Sequence, residues 1–94
     1  MSITRINEFQ AQEGQATALK SLLASFQTMI ESSDGCLSCQ MLQNEADPSQ
    51  MVVIEVWQNI ESHQASTKNI PPEALEKAMQ LLAGPPKGAY YNPF

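Results

Sequence analysis

One histidine, one tryptophan and two cysteines are the scarcest reactive side chains in this 94-residue chain. His63 is the sole imidazole, and an ordinary pKa of about 6.5 suits it to proton exchange near neutrality. Its neighbours Glu61, Ser62 and Gln64 also fit a solvated residue on a polar helix. Trp57 closes the most apolar stretch, Met51–Trp57. An indole there can floor an aromatic-binding pocket and donate its N–H to a bound oxygen, or simply pack at a sheet edge. Glu55, two residues earlier, would be costly to bury unpaired. It reads as a structural partner for a tail or cross-dimer donor rather than as a catalytic base. Asn7 offers a neutral donor from the first predicted strand, either into a pocket or to water. Phe26, Tyr90 and Tyr91 are the candidate aromatic contacts of a bound ligand, though the tail carrying the tyrosines and Phe94 can equally lie across a partner.

The spacing Cys36-Leu37-Ser38-Cys39 matches a CxxC motif. Redox sites of that kind stand at a helix N-terminus, which lowers the thiol pKa. Here Gln40 to Gln43 continue as a strand, and strand alternation is expected to send the two thiols to opposite faces. Two cysteines and one histidine are also too few for a closed zinc site. Reduced, buried thiols are the expectation, in keeping with a cytoplasmic setting.

The elements that must position these residues follow from periodicity. Ile3 to Phe9 alternate as a strand, and Gln12-Glu13-Gly14 breaks them. Ala16, Leu19, Leu22, Leu23, Phe26, Met29 and Ile30 recur at three- and four-residue steps, a helix stopped by Ser32-Ser33-Asp34-Gly35. Cys36–Gln43 is a second strand, Asp47-Pro48-Ser49 a turn, and Met51–Trp57 a third strand. That third strand is apolar on both parities, so something must cover each face: helices one side, a second subunit the other. Asn59–Thr67 reads as a short helix. Pro71-Pro72 opens another, with the stripe Leu75, Ala78, Met79 and Leu82. Gly84-Pro85-Pro86 ends it, and a last strand falls near Gly88–Tyr91. The order is that of an α+β ferredoxin-like antiparallel sheet with helices on one face.

Composition narrows the function. Apolar residues make up 43% and charged ones 16%, which argues against disorder and hints at a surface covered by a partner. Ten acids against five bases leave a net charge of −5, so nucleic acid is not an expected partner. The longest apolar run, Met51–Ile54, is far too short for a membrane span. Residues 1–94 are expected to form one domain, with a core over about 3–83 and an aromatic strand or tail at 87–94.

The segment Gly35-Cys36-Leu37-Ser38-Cys39-Gln40-Met41, the following turn, and Val52-Val53-Ile54-Glu55-Val56-Trp57 resemble the antibiotic biosynthesis monooxygenase (ABM) domain family, with its G-C-L-x-Y strand and E-x-W strand end. The resemblance covers roughly residues 3 to 83. It implies a ferredoxin-like protomer that pairs through its sheet into a dimeric α+β barrel. It also implies oxygenation of quinols, anthrones or related phenols without metal or flavin. Cys39 stands where the family commonly has Tyr, and the segment Gln64-Ala65-Ser66-Thr67 lacks the further His that members often carry. Heme-degrading relatives are matched at Asn7 but not at their Trp and His. The expected function is therefore cofactor-independent monooxygenation of a small phenolic or quinol-type compound. In it His63 handles the proton, Asn7 and Trp57 contact oxygen, and Tyr90 or Tyr91 closes the pocket. The competing reading is a non-catalytic dimer that binds a small hydrophobic ligand or serves as an interaction module.

Overall fold

The computed structural model describes residues 2–94; Met1, part of the expected domain, lies outside them. Four strands, β1 (Ile3–Gln10), β2 (Cys36–Gln43), β3 (Gln50–Trp57) and β4 (Lys87–Tyr91), form one sheet in the order β2-β3-β1-β4. All three pairings are antiparallel. Helices α1 (Ala16–Glu31), α2 (Ile60–Ser66) and α3 (Pro72–Leu81) complete the ferredoxin-like α+β arrangement, with a short 3-10 turn at Thr67–Asn69.

The alternation of β3 decides which face the helices cover. Met51, Val53, Glu55 and Trp57 are buried, while Val52, Ile54 and Val56 are only half-buried. Register carries the same division across the sheet. Ile3, Arg5, Asn7 and Phe9 lie opposite Trp57, Glu55, Val53 and Met51, so they share the helix-covered face. The core gathers at one end of this face, where Leu19 and Leu23 of α1 meet Met51, Ala11 and Leu82. Each fully buried leucine stabilises the fold by roughly 1.5–3 kcal/mol. The opposite face carries Ile6, Val52, Ile54 and Val56 side by side, with Leu42 and Tyr91 exposed at its margins.

Three local expectations are corrected. The helix expected to bury Leu75, Ala78, Met79 and Leu82 contains no buried residue; Leu75 and Met79 are exposed. Leu82 is buried because the helix has ended: its backbone is extended and bridges to Ala11. The thiols of the CxxC are not sent to opposite faces. A β-bulge between Cys36 and Ser38 sets Cys36 opposite Trp57 and Cys39 opposite Glu55, two residues of one face. The extra residue, Leu37, is turned out to solvent, so the period-2 rule fails at that point.

Gly35 is the hinge between α1 and β2. Its φ of +84° lies in the left-handed region, and a Cβ there would overlap the Ser62 side chain. Its carbonyl accepts the Gln58 N–H at 2.8 Å. The start of α2 is thereby clamped against the α1–β2 junction. Gly35→Ala is expected to lower stability by about 2 kcal/mol, from the left-handed backbone and the displaced Ser62, as read by urea denaturation.

Candidate active site

The site is built at the end of the sheet away from the leucine core. Asn59 caps α2, accepting the Ser62 N–H on its side-chain oxygen at 2.8 Å. This fixes the first turn of α2 and drives His63 down against the sheet. His63 is 9% exposed rather than solvated. Its ring stands edge-on to Trp57 and to Tyr90, with centroids 5.5 and 5.4 Å away. Its Nδ1 is hydrogen-bonded to the Tyr90 hydroxyl at 2.6 Å, and its Nε2 faces Glu55 Oε1 at 3.9 Å.

Glu55 is the group the sequence reading placed outside the chemistry. It is 5% exposed and lies at the centre of a network. The Trp57 indole N–H donates to Oε1 at 2.9 Å, and the Asn7 amide donates to Oε2 at 3.4 Å. Arg5 Nε in turn donates to Asn7 Oδ1 at 3.0 Å, and the guanidinium lies over the Tyr90 ring, 4.7 Å from its centroid.

Burial moves the two titrating groups toward each other. Desolvation raises the Glu55 pKa above its ordinary 4.5, against the lowering effects of the Trp57 hydrogen bond, Arg5 and Asn7. Desolvation, and then Arg5, lower the His63 pKa below 6.5. Burial thus sets a carboxyl with a raised pKa beside an imidazole with a lowered one. An imidazole backed by a carboxylate in this way is an arrangement that can accept a proton and return it. Desolvation, followed by the Glu55 charge, pushes the Cys39 thiol up to about 12, so it stays a protonated, unreactive thiol.

A cavity of about 230 Å³ lies between sheet and helices above this pair. Its polar wall includes Arg5, Asn7, Glu55 and His63, with the hydroxyls of Ser33, Ser66 and Thr67; its apolar wall includes Phe26, Met29, Ile30, Met41 and Leu75. An apolar cavity of about 150 Å³ takes benzene, so this volume suits one substituted ring or two fused ones. A larger depression of about 500 Å³ lies among Gln10, Leu42, Val52, Ile54 and Lys87, toward the uncovered face. No histidine or cysteine lines it.

The placement of the expected residues is uneven. His63, Asn7 and Phe26 share the cavity wall. Trp57 does not: it is fully buried, and its N–H is committed to Glu55 rather than aimed at a bound oxygen. Tyr90 holds His63 from behind. Tyr91, paired with Thr4, falls on the uncovered face and is exposed, so it closes nothing. Sequence reading passed over Arg5. Its signal was a charged residue on the inward parity of Ile3, Asn7 and Phe9.

Fold and site together define an α+β protein with a carboxyl–imidazole pair facing a small, largely apolar cavity. The family model for antibiotic biosynthesis monooxygenase matches residues 2–81, and the chain belongs to that family. No curated protein matches the sequence. Among solved structures, a candidate antibiotic biosynthesis monooxygenase from Chloroflexus aurantiacus is 29% identical, with a TM-score of 0.80 covering 100% of this chain and 94% of that one. Rv0793 from Mycobacterium tuberculosis is 18% identical, with a TM-score of 0.87 covering 100% and 96%. A mutant of SnoaB, a cofactor-independent oxygenase from Streptomyces nogalater, is 15% identical, with a TM-score of 0.82 covering 98% and 92%. Among the described residues no helix is long and apolar enough to cross a membrane.

Proposed function

We propose that this protein is a monooxygenase that oxidises a one- or two-ring phenol or quinol with dioxygen and needs neither metal nor flavin. The observation that carries the reading is the Glu55–His63 pair on the wall of an apolar cavity of that size. Triplet dioxygen reacts slowly with a neutral phenol, whereas the derived anion can pass it one electron. The protein's task is to take the proton and steady the anion. The substrate proton goes to His63 Nε2, and Glu55 stabilises the imidazolium while Tyr90 holds the ring. The substrate anion gives one electron to dioxygen, and the resulting radical and superoxide combine as a peroxide. Loss of water leaves one oxygen atom on the substrate and the other in water. The substrate supplies both electrons. The cofactor-independent oxygenase among the structural neighbours supports this chemistry for the fold.

The reading includes a homodimer. Ile6, Val52, Ile54 and Val56 make an apolar stripe on the face away from the helices, and a second copy is the natural cover for it. Ile54→Glu is expected to yield a folded monomer by light scattering, because it buries a charge in that stripe; an unchanged dimer would place the interface elsewhere. The setting is taken to be cytoplasmic, where Cys36 and Cys39 remain thiols.

The function is tested by oxygen uptake of the purified, metal-free protein on small hydroquinones and naphthalenediols, with His63→Ala in parallel. Uptake above the rate without protein, abolished in the variant, is expected. Uptake at the background rate throughout, from a protein that still binds these compounds, would favour the second reading of the same cavity, a non-catalytic ligand-binding dimer.

A further inference from the structure

Arg5 occupies a position that the proton-handling chemistry leaves unexplained. It lies on the cavity wall, directly across β1 and β3 from Glu55 and across β1 and β4 from Tyr90. A guanidinium has five N–H donors. Among the described residues, its one hydrogen-bond partner is Asn7 Oδ1, reached through Nε, and no carboxylate lies within ion-pair distance of it. The Tyr90 ring on one side and Asn7 on the other fix the plane of the group. Gly88 completes the cradle. A Cβ at that position would overlap Arg5 Nη2 and come within 2.6 Å of Asn7 Oδ1, so only glycine leaves the guanidinium its place. A half-buried, oriented cation on the wall of this cavity, with Nη donors that no protein acceptor takes, is suited to bind an anion.

We propose that Arg5 is the substrate-binding residue that selects aromatic ligands carrying an anionic oxygen, and that Gly88 is the positioning residue that makes room for it. The anionic oxygen is either a ring carboxylate or the ionised phenol itself. The proposal rests on this cavity being the ligand site, as proposed above, but not on any reaction occurring there. Binding and oxygen uptake therefore fail separately.

The test is calorimetric binding of 2-naphthoate and its neutral isostere 2-naphthamide to the wild-type protein, Arg5→Gln and Gly88→Ala, each checked for native circular dichroism. A parallel arm follows the visible absorbance of bound 4-nitrophenol, which differs between phenol and phenolate. Naphthoate is expected to bind about tenfold more tightly than naphthamide, with the preference falling to within about threefold in both variants. Gly88→Ala keeps the charge and displaces the guanidinium together with its Asn7 acceptor, so it separates placement from net charge. If naphthoate fails but nitrophenol binds as phenolate in the wild type and not in Arg5→Gln, the anion is the ionised phenol. Equal binding of naphthoate and naphthamide with no phenolate signal, a preference that survives Arg5→Gln, or no binding of either anion would overturn the proposal.

Discussion

Glu55→Gln is expected to leave the protein folded and to lower substrate-dependent oxygen uptake by about 100- to 10,000-fold. The fold survives because the glutamine carbonyl still accepts the Trp57 indole N–H that Glu55 Oε1 holds at 2.9 Å. Activity is lost because the imidazolium formed at His63 no longer faces a carboxylate. The pH profile separates this role from a structural one. In the wild type the acid limb belongs to the pair, a carboxyl raised from 4.5 and an imidazole lowered from 6.5. In the variant only His63 titrates; it has lost the carboxylate and kept Arg5, so the limb moves to lower pH. An unmoved limb would assign the proton to another group.

Stability carries a second signature of the same substitution. The folded Glu55 pKa lies above its unfolded value, so between the two the native state binds more protons. This group therefore contributes less stability as pH rises through that window. His63 acts in the opposite sense: its pKa is lowered by folding, so its contribution is present above 6.5 and lost as pH falls toward the folded value. Removing Glu55 removes the first effect and, by lowering the His63 pKa further, enlarges the second. The unfolding free energy of Glu55→Gln should thus decline more steeply than that of the wild type on acidification from neutrality toward pH 5.

Trp57→Ala is expected to cost about 3–5 kcal/mol, the largest loss of any single side chain in the molecule. Trp57 is completely buried, and its deletion both opens a cavity and leaves Glu55 without its closest donor. Against a total stability of about 5–15 kcal/mol for a domain of ordinary size, that is enough to leave much of the protein unfolded at 37 °C. Trp57→Phe isolates the hydrogen bond. It keeps most of the buried area, and it should cost about 1–3 kcal/mol in urea denaturation while raising the Glu55 pKa further. Equal losses for Ala and Phe would mean that packing around the indole contributes little.

The sequence was most legible where one face of one element sufficed. The α1 stripe and the strand Met51–Trp57 were plain from period alone, and the two-sided apolar character of that strand told which elements remained to be covered. What escaped depends on pairing between distant strands. The bulge at Leu37 has no local signature, because Cys36 and Cys39 share a face only through their register with Trp57 and Glu55. Glu55 was visible as a costly carboxylate, but its Asn7 and Arg5 neighbours come from a strand 48 and more residues away. Tyr90 was recognisable as a ligand contact, yet its role as the support of His63 requires β4 to lie beside β1. The spacing of Leu82 fits a helical stripe. The chain leaves the helix one residue earlier and buries it by a different route.

Incorporation of labelled oxygen tests the central claim most directly. The metal-free protein would be supplied with isotopically labelled dioxygen and a naphthalenediol that supports uptake, and the product weighed by mass spectrometry. One labelled atom per product molecule, formed in the wild type and lost in Glu55→Gln, is the expected result. Unlabelled product, or labelled product formed as fast by Glu55→Gln as by the wild type, would contradict it.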